Sequence, residues 1–271
     1  MPELPEVETT RRSLEPPLVG RRILDVTVRD RRLRWPVPAD LESSLTGARI
    51  TALRRRAKYL LVDTDRGTLL VHLGMSGSLT VVPPSRPVIK HDHVDMKLDS
   101  GWRLRFHDPR RFGSMHWLAS SDAPHPLLNA LAPEPFDPAF DAAYLHRVTR
   151  RRASAIKQII MNGELVTGVG NIYASEALFR AGIHPATKAR RLSLERCARL
   201  VGAIRETLGR AIELGGSSLR DYVDGAGNPG EFQTESSVYG RGGQPCTRCG
   251  GTVRLIRQGA RATYYCPGCQ H

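Results

Sequence analysis

Two C-x-x-C pairs near the end of the chain restrict its folding more than any other feature. In CTRCGGTVRLIRQGARATYYCPGC, Cys246 and Cys249 form one pair and Cys266 and Cys269 the other, with 16 residues between the pairs. Each knuckle offers two thiolates to one ion, and the intervening stretch is long enough for a hairpin that brings the pairs together tetrahedrally. The spacing predicts a zinc ribbon holding one structural Zn2+, because four protein ligands leave no coordination position open for chemistry. The alternative, a pair of disulfides, needs an oxidising compartment. A fifth cysteine, Cys197, falls on the apolar face of a predicted helix and reads as a core residue.

Charge points to the partner. Forty Lys and Arg against 27 Asp and Glu leave a net charge of +13 over 271 residues. Such an excess favours a polyanion, and its arginine dominance suits bidentate phosphate contact. Between Ser236 and His271 there are five arginines and no acid, so the zinc hairpin reads as a phosphate-contacting finger with Arg261 best placed to project. No apolar run approaches the roughly 20 residues that span a bilayer. The N-terminus lacks a basic-then-apolar leader pattern, so an intracellular chain without membrane partners is expected.

Periodicity divides the chain. Residues 2–14 read as a helix carrying Leu4, Val7 and Leu14. From Arg22 to about Trp117, short alternating runs such as ILDVTV, KYLLVDT and HVDMKL read as the strands of a sandwich or barrel. Five prolines between residues 120 and 140 mark an irregular connection. Helical periodicity follows in AYLHRVTRRRASAIKQIIMNG, NIYASEALFRAG and LSLERCARLVGAIRETLGRAIELGG, each closing on glycine. The last of these has Ser193 available as its N-cap. Residues 216–243, rich in Gly and polar side chains, read as a mobile loop.

Several short stretches carry chemistry. The chain opens MPELPEVETTRR, which places Pro2 beside Glu3 and Glu6; this is either a stiffened tail or a terminal amine with carboxylates at hand. Lys58, in RRRAKYLL, reads as a strand residue at the edge of a core, behind arginines that read as ordinary surface charge. Met75 in HLGMSG and Phe112 in DPRRFG stand in Gly-flanked turns, which favours protrusion over core burial. His91 and His93 in KHDHVD alternate as on one strand face, with no third metal ligand at an obvious spacing, so phosphate contact by His91 is the better reading. GVGNIY lacks the full glycine fingerprint of a dinucleotide loop. Its Asn171 reads as an N-cap.

Taken in order, MPELPEVETTRR, RRRAKYLL, HLGMSGSL, KHDHVD, DPRRFG, GVGNIYASEALFRAGIHP, VYGRGGQPC and the four cysteines resemble the formamidopyrimidine-DNA glycosylases, bacterial base-excision enzymes. The resemblance spans essentially the whole chain. It implies an α+β architecture: an N-terminal β-sandwich with a leading helix over 1–135, a helix–two-turn–helix domain with a lesion loop over 136–235, and a zinc finger over 236–271. It implies excision of oxidised purines (8-oxoguanine and formamidopyrimidines) from duplex DNA through a proline Schiff base, followed by β,δ-elimination.

In that chemistry Met1 is removed and Pro2 becomes the nucleophile, Glu3 the general acid/base, and Lys58 a catalytic phosphate contact. The resemblance further implies that Met75, Arg110 and Phe112 fill the vacancy left by an extruded nucleotide, Arg110 bonding the orphaned base. His91, Asn171 and Arg261 contact DNA, while Glu6 and Glu176 support the site. A cytoplasmic, nucleoid-associated bacterial monomer is expected. The wedge residues and the PELPEVE start set the chain apart from the endonuclease VIII group; the rival readings are a related glycosylase preferring oxidised pyrimidines and a non-catalytic damage sensor or zinc-ribbon regulator on the same scaffold.

Overall fold

The computed structural model describes residues 2–120, 123–218 and 222–271. Met1, on whose removal the nucleophile assignment depends, and residues 219–221 of the proposed lesion loop lie outside the described residues. The chain forms two compact units, one of residues 1–128 with 214–231 and the other of residues 129–213 with 232–271.

The first unit opens with helix α1 (Leu4–Leu18), which starts two residues later and ends four residues later than periodicity predicts. Pro16 and Pro17 sit in its last turn, and Leu18 is fully buried, so core anchoring outweighs the helix-breaking tendency of proline. Eight strands follow: β1 (Ile23–Val28), β2 (Ile50–Arg56), β3 (Tyr59–Thr64), β4 (Gly67–His72), β5 (Ser78–Val82), β6 (Asp92–Leu98), β7 (Arg103–His107) and β8 (Ser114–Leu118), with the short helix α2 (Leu41–Leu45) after β1. They form two antiparallel four-stranded sheets, ordered β1-β6-β7-β5 and β2-β3-β4-β8. Leu14 and Leu18 of α1 share one core with Val26, Leu60, Leu69, Met96 and Phe106 from both sheets. Burial of this apolar surface is what holds the helix and its N-terminus against the sandwich.

Alternation identified these strands, but two functional positions differ from their sequence reading. Lys58 is not within a strand: Ala57 and Lys58 form the two-residue turn of the β2–β3 hairpin, with Arg56 opposite Tyr59 and Ala57 at φ +55°. Hairpin turns of this length need positive φ, and an Ala-Lys pair carries none of the usual Gly or Asn signal. His91 likewise lies in a turn at φ +74° ahead of β6, whereas His93 is inside the strand and buried. The two therefore do not share a strand face.

A single turn, α3 (Pro126–Asn129), leads from the first unit to the second. The second unit contains α4 (Ala142–Thr149), α5 (Ile156–Ile160), α6 (Asn171–Arg180) and α7 (Leu194–Glu213). The predicted helix over AYLHRVTRRRASAIKQIIMNG is thus two. Its arginine run ends α4, and the chain instead bridges Ala155 to Lys188 while Ile156 N–H donates to Thr187 O at 2.8 Å. Arg196 N–H donates to Ser193 Oγ at the start of α7. The C-terminal hairpin of β9 (Arg254–Gln258) and β10 (Arg261–Tyr265) is antiparallel, and its Val253, Cys246 and Cys266 pack on Phe179 of α6.

Candidate functional site

In the first unit Glu3 is the N-cap residue of α1 and is 2% exposed. Glu6, at the third helical position, returns a carboxylate to the Glu3 N–H at 2.7 Å, the reciprocal arrangement of a capping box. This fixes the backbone directly behind the buried Pro2. Glu6 also reaches the far end of the unit: its Oε1 accepts from Ser217 N–H at 2.8 Å. Gly216, at φ +83°, approaches so closely that a β-carbon there would stand 3.0 Å from Glu6 Oε1.

The Lys58 turn is tied to the same helix. Arg55 donates to Glu8 of α1 at 3.2 Å and to Ala57 O at 3.1 Å. Against the cost of desolvation, hydrogen bonds from Arg11 and Arg12 and the Arg11 and Arg55 charges hold the Glu8 carboxyl below its ordinary range. Arg54 pairs with Asp63. These arginines brace the hairpin and are not ordinary surface charge. His72 on β4 packs against Tyr59 with ring centroids 4.9 Å apart and planes tilted by 50°. Burial, followed by the Lys58 and Arg34 charges, pushes its imidazole down to about 4, so it is neutral near pH 7. Its Nδ1 accepts from Gly74 N–H at 3.1 Å, which leaves the ring proton on Nε2.

Met75 and Phe112 protrude, at 40% and 43% exposure. They stand on two loops held by one carboxylate. Asp108, completely buried, accepts from Ser76 Oγ and from Gly113 N–H, each at 2.8 Å. Ser76 Oγ in turn receives Arg110 N–H at 3.3 Å, and the Arg110 guanidinium lies 4.9 Å over the Phe112 ring. Gly74 is required by space as well as by its φ of +67°, since a β-carbon would fall 2.4 Å from Gly113 N. His93 Nε2 meets Asp108 O at 2.8 Å, and the His91 ring lies 6.1 Å from that of His93. Replacing Asp108 by alanine strands two buried donors at about 1–3 kcal/mol each. Denaturant unfolding of that variant is expected to show a loss of about 2–6 kcal/mol; a stability equal to wild type would remove Asp108 as the brace.

The second unit gathers another group. Asn171 is the first residue of α6 and Gly170 is the cap, so the N-cap reading of the asparagine does not hold. Its side chain instead accepts from Lys157 Nζ at 2.7 Å and donates to Ala262 O at 3.1 Å and to Tyr239 OH at 3.4 Å. Lys157 is 2% exposed, and its ammonium also reaches Thr263 Oγ1 at 2.8 Å and Ala262 O at 3.2 Å. A recess of about 260 Å³ beside it is lined by Lys157, Gln158, Gln258, Gly259, Arg261 and Thr263 among others. Asn171 and Arg261, more than 80 positions apart, thereby border one basic locality. Glu176 accepts from the backbone N–H groups of Ser237, Val238 and Tyr239 at 2.7–3.0 Å, which fixes the turn that leads into the zinc hairpin. Lys157, Tyr239, Thr263, Glu8, Arg55, His72 and Asp108 escaped the sequence reading.

The four cysteine sulfurs lie within 4.8 Å of one another. Cys246 and Cys269 Sγ are 3.9 Å apart and Cys249 and Cys266 Sγ 3.5 Å. These separations exclude disulfides, whose sulfurs sit near 2.05 Å. They match the edge of about 3.8 Å expected when four sulfurs surround zinc at about 2.3 Å. Although desolvation opposes it, N–H groups of Arg248 and Cys249 lower the Cys246 thiol, whereas burial and the neighbouring sulfurs raise those of Cys266 and Cys269; four sulfurs this close deprotonate together only when a cation offsets their charge. The donor set fits one zinc ion.

The described residues thus give a β-sandwich whose leading helix places a buried carboxylate beside Pro2, and a helical unit that carries a four-cysteine zinc site. Comparison with known proteins makes this specific. Residues 1–115 match the formamidopyrimidine-DNA glycosylase N-terminal domain, 131–223 its H2TH domain, and 243–271 the zinc finger found in FPG and IleRS. The formamidopyrimidine-DNA glycosylase of Methylococcus capsulatus is 58% identical over 270 residues, covering all of both chains. The Lactococcus lactis FPG (MutM) complex with Fapy-dG-containing DNA superposes with a TM-score of 0.91 at 36% identity, covering 99% of this chain and 100% of that one. The Lactococcus lactis Fpg complex with abasic-site DNA gives 0.92 at 37%, covering 99% of each. The chain belongs to the formamidopyrimidine-DNA glycosylase family.

Proposed function

We propose that this enzyme removes oxidised purines, 8-oxoguanine and formamidopyrimidines, from duplex DNA and cuts the strand at the sugar that remains. With Met1 removed, the Pro2 secondary amine attacks C1′ and the damaged base leaves with the glycosidic electron pair. The opened sugar is held as an iminium. That electron sink acidifies the C2′ proton, whose removal expels the 3′ phosphate by breaking C3′–O3′. A second elimination breaks C5′–O5′ and leaves a one-nucleotide gap.

Glu3 protonates the sugar ring oxygen and shuttles protons, and Lys58 holds phosphate beside the reacting sugar. Met75, Arg110 and Phe112 occupy the stack after extrusion, with Arg110 paired to the orphaned base. His91, Asn171 and Arg261 bind the backbone, Glu176 positions the segment behind Asn171, and Glu6 holds the nucleophile's helix. The enzyme acts as a monomer on the nucleoid, in the cytoplasm. The observation that carries this reading is Glu3, a carboxylate 2% exposed at the N-cap of α1, next to Pro2.

The test is borohydride trapping on duplex DNA with one 8-oxoguanine opposite cytosine. A covalent adduct mapped to the Pro2 amine is expected; lesion binding without any adduct would overturn the reaction. Binding itself should weaken steeply with salt through counterion release. Arg261→Ala is expected to reduce affinity across sequences and lower the log–log salt slope by about one. An unchanged slope in a salt titration would take Arg261 out of the phosphate contacts.

A further inference from the structure

The loop that closes the first unit is fastened to α1 at points the proposed chemistry does not use. Tyr222 is 9% exposed, and its hydroxyl donates to the backbone carbonyl of Glu6 at 3.0 Å. Its own carbonyl accepts from Ser218 Oγ at 2.7 Å, and Ser218 Oγ in turn accepts from Gly230 N–H at 2.8 Å. Further along, Gly225 N–H donates to Ser13 Oγ and Gly225 O accepts from Val81 N–H. A β-carbon at Gly225 would lie 2.4 Å from Leu14. The Glu6 carboxylate bridges Ser217 N–H to Glu3 N–H.

The base of the loop is therefore stapled on both sides of residues 219–221. Ser217 and Tyr222 are both fastened to one residue, Glu6, one turn into the helix that begins beside Pro2. A phenol buried to this degree costs free energy unless its hydroxyl is bonded, and the bond it makes ends on the nucleophile's own helix. Phenylalanine would fill the same volume without it.

We propose that the Tyr222 hydroxyl is a positioning group that registers the 214–231 loop against α1, so that a base held by the loop is presented to the N-terminal amine. The inference rests on the glycosylase reading above and names a residue that acts through Glu6 without touching the reacting atoms. It separates two steps. Excision needs a base held in register. Scission at a preformed abasic site has no base to hold and proceeds without the staple.

Tyr222→Phe keeps the packing and tests this directly. Single-turnover excision of 8-oxoguanine is expected to slow about tenfold, the value of one hydrogen bond. Cleavage of a preformed abasic-site duplex should keep the wild-type rate, and the melting temperature should stay within a few degrees. Equal slowing on both substrates, or none on either, overturns the proposal. Wild-type protein that cuts neither duplex would instead overturn the glycosylase reading, so the two failures are distinguishable.

Discussion

Glu3→Gln is expected to lower base excision by about 10²–10⁴-fold, the usual contribution of a positioned general acid or base, while binding to lesion-containing duplex stays within a few fold. Two features make the substitution clean. Glutamine has the shape of glutamate and keeps an oxygen able to accept a helix N–H, so the cap of α1 survives. The Glu6 half of the capping box, from Glu6 Oε2 to Glu3 N–H, is untouched. What disappears is an ionisable carboxyl 2% exposed beside Pro2. Single-turnover cleavage and fluorescence-anisotropy binding on the same oligonucleotide give the two readouts. Loss of binding parallel to loss of rate would make Glu3 a scaffold residue.

Removing the metal is the second change with a large effect. The hairpin core consists of Phe179, Val238, Cys246, Val253 and Cys266, of which two are ligands. So small a core does not stand alone, and structural zinc contributes about 10–16 kcal/mol to comparable fingers. Chelation, or Cys266→Ser at a fully buried position, is expected to abolish zinc binding, unfold residues 246–269 and weaken DNA binding more than Arg261→Ala does. The damage spreads inward, because the buried Lys157 ammonium loses its Thr263 and Ala262 acceptors. Metal analysis, proteolysis within the hairpin and affinity at one fixed salt concentration check this. Metal-free protein of full affinity would exclude a DNA-contacting role for the finger.

The parts legible in the sequence are those whose chemistry is local. Two C-x-x-C knuckles define their own geometry, and period-two alternation marks strands wherever one face is wet. The turn at Lys58 is not legible because an Ala-Lys pair carries no turn residue. The break near Arg150 is hidden because apolar periodicity resumes in register beyond the arginines. Lys157 was invisible for a different reason: its partner Thr263 lies 106 positions away, and only the folded chain reveals that a lysine in AIKQII is the centre of a polar cluster. Asp108 behaves likewise. Nothing in DPRRFG announces a fully buried carboxylate bonded to a serine 32 positions earlier.

Surface loops ordinarily drift in length and sequence independently of one another. The loops bearing Met75 and Phe112 cannot. Asp108 bonds to both, and the backbone of Phe112 and Gly113 closes over Gly74 with no room for a β-carbon. In heritable terms they are one element: an insertion in either is viable only with a compensating change in the other. Among descendants of this gene the two should therefore shorten, lengthen or stay fixed as a pair.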